Sequence, residues 1–598
     1  MKTTHNPLWL AALLVGAFAL TACDDDDSAE DPGTDMLIIV DDDAARPDTA
    51  IEEDAAVQDA APQPEDAAAD MQPPDATPVI LEEPEALIYL QDPVTDEGQL
   101  SRVVLPAVTT PDGRLTSPSV EVFNCLNEPG GVQGMIPGIG ITVSLCHEVQ
   151  VARPGPNGHY DHIAPPEDDR DPNDSFSELM MYHHVNRVHD YFKDTFGFTD
   201  MDFPLPALVN VQFKTDPPLP IPGIMPGPDG WIPFANAAFF PRENWELFAQ
   251  QFGLPPRDSD SIIFFQDQVD FAYDAPVIYH EYTHAVVGTG RLQAQAVPDE
   301  YGLDNSSASM NEGIADYFAA SLADNPVIGA YVANGLGVGG GLRDVSSFRG
   351  CPNDTIDEVH AQGQIIGSTM WDVREAIGAE AADQIAFNGL MQFTESTTHR
   401  EAGALFRAEA AAISPEIAAQ VDEVLTEHGF GECVRSLPFV RFNAEASRDR
   451  IPHLVEGRQS LGFGGFNETG VPAYKQFHIN LPVGTPAVAL RWGVQANAFF
   501  GGSPAAPLVL ALRQSEPIRF DYSDGVTMAH DFQVTPALAN GEQRIVLAGG
   551  CLPPDGEALY TLFLNTSADQ LAVPTMDIEY LDAVPEGGEV QVFTCGDN

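Results

Sequence analysis

The chain has 598 residues, of which 90 are acidic and 27 basic, for a formal net charge of −63. That length exceeds what a single core fills and implies about three folded units. The charge excludes nucleic acid as a partner, because phosphate contacts draw on Lys and Arg.

In chain order, Lys2 precedes the apolar run LWLAALLVGAFAL, which leads to LTAC ending at Cys23. A charged start, a short hydrophobic core and small residues before a cut predict a secretory signal of the bacterial type over residues 1–22. The run is too short to span a bilayer, and acidic residues follow it at once. LTAC resembles the lipobox of bacterial lipoproteins. The resemblance implies cleavage before Cys23, acylation of that residue, and an exported protein anchored at the cell surface or in the periplasm.

Residues 23–86 read as a disordered tether. Between Asp24 and Glu85 there are 22 acidic residues against the single Arg46, with much Ala and Pro and few aromatics. Such a segment cannot bury enough surface to fold, and it repels itself. Coil over these 64 residues would hold the body roughly 40 Å or more from a membrane.

Short alternating runs such as ALIYL, SRVVLPAV and SVEVFNC, broken by Pro, Gly and Asp, predict a β-rich region over residues 87–165. At Asp174 the period turns helical. FSELMMYHHVNRVHDYFKDTFGF has Asp174 or Ser175 as its cap and Gly197 as its stop, and its His183, His184 and His189 read as packed or surface positions. Helical segments return from Ala275 to about Gly429. Beyond Cys433 short strands such as AVALRWGV, PLVLALRQ and ALYTLFLN predict a C-terminal β-sandwich over residues 436–598. Its composition resembles the prepeptidase C-terminal type of domain. The fold class expected is therefore α+β.

Apart from Cys23 the chain holds six cysteines, an even number that in an exported protein reads as three disulfides. Sequence neighbours fall into three regions, so the expected pairs are Cys125 with Cys146, Cys351 with Cys433, and Cys551 with Cys595.

The chemistry centres on HEYTH, His280 to His284. On a helix, residues i and i+4 share a face, so both histidines can meet one cation while Glu281 faces the adjacent space. Chance alone gives this pattern in about one such chain in forty, so its surroundings decide. DAPVIYHEYTHAVVG is apolar at helical intervals, and a buried helix with two unpaired histidines would be costly. Zinc at a catalytic site takes three protein ligands. SMNEGIADYFAASLAD offers Glu312 and Asp316 four apart, one able to reach a metal and the other able to orient a ligand imidazole.

HEYTH followed by NEGIAD resembles the gluzincin, thermolysin-like zinc metallopeptidases, and with EVHAQGQIIG it is most similar to their fungalysin family. The likeness runs from about Asp161 to Gly429, with a catalytic domain over residues 166–435. It implies a two-lobed fold with a β-rich N-lobe and a helical C-lobe. It implies His280, His284 and Glu312 as zinc ligands, Glu281 as general base toward a metal-activated water, and Asp316 behind the first histidine. Within PFANAAFF it sets Asn236 and Ala237 against the substrate backbone, and in GLRDV it sets Arg343 at a substrate carbonyl. His360 and Tyr301 would stabilise the oxyanion, with Asp357 orienting His360. The reading is a monomeric, membrane-anchored zinc endopeptidase acting on extracellular or periplasmic proteins and peptides. Export and acidity leave room for a Ca²⁺ ion, though no calcium loop can be named. The alternative is a catalytically silent zinc-binding lipoprotein that binds a surface partner through its β domain, which would need neither Glu281 nor His360.

Overall fold

The computed structural model describes residues 83–595 with interruptions, the longest at 218–229, 440–465, 495–507 and 535–541. The expected signal (1–22), Cys23 and the tether up to residue 82 lie outside the described residues, as does Asp357.

The first strands form an antiparallel hairpin, β1 (Glu85–Ile88) with β2 (Ser101–Val104). Ala86 is fully buried and the Glu85 carbonyl accepts from the Tyr160 N–H at 2.7 Å, so residues 85 and 86 belong to the folded body and not to the tether. There follow β3 (Val120–Leu126), β4 (Gln133–Met135), β5 (Thr142–Leu145), β6 (His147–Val149), α1 (Phe176–Phe196), β7 (Leu205–Val211), β8 (Phe213–Asp216), β9 (Ala237–Phe240), α2 (Arg242–Phe252) and β10 (Ser261–Phe265). Five of these strands make one sheet in the order β6-β3-β7-β10-β9. That sheet crosses the boundary expected at residue 165, because β3 lies parallel to β7 with Val120 opposite Leu205. Residues 87–165 are thus part of the body that carries the later strands. Asp174 supplies the N-terminal cap of α1, accepting from the N–H groups of Phe176 and Ser177, and Gly197 ends it at φ 71°. A left-handed residue at that position satisfies the last carbonyls without a Cβ clash.

The second part of the body is helical. In order come α3 (Ala275–Val287), the hairpin β11 (Val297–Asp299) and β12 (Gly302–Asp304), α4 (Ser306–Ala323), β13 (Val327–Ile328), α5 (Ala330–Gly335), β14 (Arg343–Asp344), α6 (Val359–Ile377), α7 (Ala379–Leu390), α8 (His399–Ile413) and α9 (Pro415–Glu427). α1, α3 and α4 meet in an aromatic layer where the Phe192 ring lies 5.2 Å from Phe318 and 6.4 Å from Tyr282. Each such side chain contributes about 1.5–3 kcal/mol on burial, which makes α3 and α4 core helices with fixed orientations.

Where α4 crosses α6 the backbones touch. A Cβ added at Gly313 would stand 1.9 Å from the Gly363 carbonyl oxygen, and one at Gly363 would stand 2.6 Å from the Ser309 carbonyl oxygen. Only glycine admits that approach. The consequence is local, since Gly313 follows Glu312 and Gly363 comes three residues after His360.

After Cys433 the chain enters β15 (Ser436–Pro438), which pairs in parallel with Gln476–Asn480. That strand belongs to a six-stranded sheet, and a four-stranded sheet is built on Ala487–Val494 and Glu542–Ala548. Both sheets contribute to one core, Leu510, Leu562 and Leu564 from the first and Leu490, Trp492 and Leu547 from the second. The three disulfides join Cys125 to Cys146, Cys351 to Cys433 and Cys551 to Cys595, at Cα separations of 5.2, 5.7 and 4.9 Å. No helix among the described residues is long and apolar enough to cross a membrane.

Candidate metal centre

α3 starts at Asp274 with Pro276 in its first turn, where a missing N–H costs nothing, and ends at Gly288. Its core-facing side turns His280 and His284 toward α4, with Nε2 atoms 3.1 Å apart. From α4, Glu312 brings Oε2 to 3.4 Å from His280 Nε2 and 3.6 Å from His284 Nε2. Metal–donor bonds of about 2.0–2.2 Å at tetrahedral angles put donors roughly 3.3 Å apart. The three ligand atoms lie within 4.8 Å of one another, and among the described residues no other cluster of three such side chains does so. Among the described residues the buried Glu312 Oε2 makes no well-formed hydrogen bond, its nearest donors being the Nε2 atoms of His280, His284 and His360 at 3.4, 3.6 and 3.4 Å. An orphaned carboxylate oxygen facing imidazole nitrogens is a donor set that fits one divalent cation.

Each ring is oriented from behind. His280 Nδ1 lies 2.8 Å from Asp316 Oδ1, and Asp316 is in turn gripped by Arg343 through Nε at 2.6 Å and Nη2 at 2.8 Å. Burial would raise the Asp316 carboxyl, but Arg343 and His280 hold it well below the usual carboxylate range. His284 Nδ1 lies 2.8 Å from Asn311 Oδ1. Sequence reasoning missed Asn311; its signal is that a ligand histidine needs a partner on its second nitrogen, and Asn311 directly precedes Glu312.

His360 stands in the first turn of α6 with Nε2 3.4 Å from Glu312 Oε2. Its Nδ1 lies 2.7 Å from Glu358 Oε1, and the same carboxylate caps α6 by accepting from the N–H groups of His360 and Ala361. Glu358 therefore makes the orienting contact expected of its neighbour Asp357. The capping position explains the difference: a carboxylate fixed by two backbone N–H groups can hold a ring two residues on. Burial works against charge on these rings, yet Asp316 and Glu312 push His280 up to about 10, while Glu312 and Glu358 push His360 up to about 9. The same surplus of negative potential that would keep protons here would favour a dication.

Glu281 lies on α3 beside the free edge of the five-stranded sheet, its Oε2 accepting from the Phe239 N–H at 2.8 Å. β9 is that edge, paired among the described residues with β10 alone. The Asn236 carbonyl accepts from the Phe265 N–H, so Asn236 is turned toward β10 and the backbone of Ala237, next in the alternation, faces outward. Arg343 sits behind the cluster, its guanidinium committed to Asp316.

Tyr301 is elsewhere. It occupies the turn of the β11–β12 hairpin, its ring 5.1 Å from the Arg519 guanidinium carbon and 5.9 Å from that of Arg435, beside a cavity of 620 Å³ that Arg400 and Arg407 also line. The oxyanion role expected of it does not fit this position. The segment before NEGIAD folds back as a hairpin against the C-terminal sheets and carries the tyrosine with it.

No protein-family model matches the chain, and no curated protein does. Among solved structures it is similar to the precursor of protealysin, a metalloproteinase from Serratia proteamaculans, at 15% identity and a TM-score of 0.31, covering 42% of this chain and 78% of that one. A family GH115 4-O-methyl-α-glucuronidase is matched at 10% identity and a TM-score of 0.11, covering 51% of this chain and 39% of that one. At such TM-scores neither likeness carries an argument, and the case rests on the geometry of the cluster.

Proposed function

We propose that the chain is a zinc-dependent endopeptidase. The observation that carries this reading is the orphaned Glu312 Oε2 among His280, His284 and His360, with Glu281 between that cluster and an open sheet edge. A zinc ion held by His280, His284 and Glu312 would supply a Lewis acid and a water of lowered pKa. An extended peptide would add to β9 as a further strand, using the outward N–H and C=O of Ala237. Glu281, held in place by the Phe239 N–H, takes the proton of the attacking water and delivers it to the leaving amine. His360 donates from Nε2 to the charge developing on the scissile carbonyl oxygen, its ring fixed by Glu358 so that no reorganisation is needed.

Export and lipid anchoring at Cys23 complete the proposal, supported by LTAC and by three disulfides of the kind that persist in an oxidising compartment. The test is cleavage of an unfolded protein by the purified chain, with chelator, with zinc restored, and beside Glu281→Gln. Chelator abolishes cleavage, zinc restores it, and the variant loses about 10²–10⁴-fold. Equal cleavage by the variant, or none by the zinc-loaded chain, refutes the reading.

A further inference from the structure

The hairpin that carries Tyr301 leads directly into α4, and the C-terminal region grips it. The Arg435 guanidinium, almost fully buried, spans both strands, with Nη2 2.6 Å from Asp299 Oδ1 at the end of β11 and Nη1 3.1 Å from Asp304 Oδ2 at the end of β12. The other oxygen of Asp304 accepts from the Ser306 N–H at 2.9 Å, in the first turn of α4. A bonded path thus runs from Arg435 through Asp304 into the helix that carries Glu312.

Further contacts come from the residues after Arg435. The Tyr522 hydroxyl donates to the Gly302 carbonyl at 2.6 Å, the Phe520 N–H donates to the Glu300 carbonyl at 2.9 Å, and Arg519 pairs with Glu300. Leu303, 1% exposed, belongs to the C-terminal core itself. Gly302 sits at φ 121°, where a Cβ would stand 3.0 Å from the Pro472 ring. Arg435 is also two residues from Cys433, whose disulfide holds the Cys351 loop that leads to α6 and His360.

α4 is held in its middle by the Gly313–Gly363 crossing and toward its end by Asp383, which accepts from Tyr317 and Ser321; its start, where the chain arrives from the hairpin, is held by Asp304. A site of this kind needs its donors held within about 0.5 Å.

We propose that Arg435 is a positioning residue that sets Glu312 at the metal cluster, so that the C-terminal β region is a working part of the metal centre. This rests on the metal-centre reading above and not on hydrolysis. The test compares zinc affinity, by competition with a chromophoric chelator, and kcat and KM in the full chain and in Arg435→Met, Arg435→Lys and Tyr522→Phe. Arg435→Met weakens zinc by tenfold or more and lowers kcat with KM little changed. Arg435→Lys recovers part of the loss, since one ammonium reaches one of the two carboxylates. Tyr522→Phe, which keeps its ring, folds normally and weakens zinc about threefold. Lower melting temperatures with wild-type zinc affinity and kcat would overturn the proposal. If Arg435→Met does not fold, Tyr522→Phe decides on the same two results. A wild-type chain that binds zinc but cleaves nothing defeats the endopeptidase reading, and the affinities still decide this one.

Discussion

The middle of α4, at the metal centre, and its start, at the hairpin, handle charge in opposite ways. At the metal centre four carboxylates, Glu281, Glu312, Asp316 and Glu358, converge with one permanent cation, Arg343. At the hairpin three carboxylates, Asp299, Glu300 and Asp304, meet three guanidiniums; Arg435 is buried between Asp299 and Asp304, while Glu300 pairs with Arg519 and Arg400 in contact with solvent. The second set is balanced within the protein and serves architecture. The first is short of positive charge, and such a deficit in a buried place is stable only when protons or a cation make it good. A charge deficit is therefore a better sign of a ligand than a mere concentration of charged residues.

Breaking the centre should cost most. His360→Ala is expected to lower kcat by about 10²–10³-fold, or 2.7–4 kcal/mol, while leaving zinc affinity within about twofold; a loss of zinc instead would make His360 a ligand. Next comes Gly313→Ala, which drives a methyl group into the Gly363 carbonyl. It should destabilise by about 1–3 kcal/mol and weaken zinc, read by melting and by metal titration. A variant that melts and binds like the wild type would show that the crossing does not fix Glu312.

Burial pushes His183 and His399 down to about 4 and His184 well below its usual value. Unfolded, all three take up protons near 6.5, so the stability they contribute is present above pH 6.5 and is lost as pH falls from 6.5 toward 4. Each adds about 1.4 kcal/mol per pH unit to the slope within that window. His399 faces the hairpin, the Asp304 charge being among the influences on it. His399→Gln should therefore remove one such share from the melting-temperature profile, and an unchanged slope would refute the assignment. The smallest effect belongs to Tyr301→Phe, which keeps the ring beside Arg519 and Arg435: kcat should stay within about twofold, whereas loss of an oxyanion donor costs about a hundredfold or more.

How far the sequence could be read follows from the same contrast. His280, Glu281 and His284 are local, spaced by helix geometry. Glu312 and Asp316 repeat that spacing on a second helix, and the structure brings the two sets together through the Gly313–Gly363 crossing. The cysteine pairs joined sequence neighbours, across 21 and 44 positions for the first and third and across 82, spanning α6 to α9, for the second. Glu358 was missed because its contact with His360 depends on its capping α6, which residue spacing does not reveal. Asn311 was missed because an amide beside a motif carries no signature. Tyr301 was misplaced because its surroundings come from Arg435 and Arg519, 134 and 218 positions further on in the sequence. Similarly, β3 and β6 join β7, β10 and β9 in one sheet across a boundary that composition alone suggested.

Whether the proposed zinc ion is held by His280, His284 and Glu312 can be read from X-ray absorption at the zinc edge of the metal-loaded chain. The loaded chain should hold one zinc with two nitrogen donors at about 2.0–2.1 Å and oxygen at about 2.0–2.2 Å, and no sulfur, with the signal lost in the His280→Ala, His284→Ala double variant. Sulfur scattering at about 2.3 Å, or an unchanged spectrum in the double variant, would contradict that assignment.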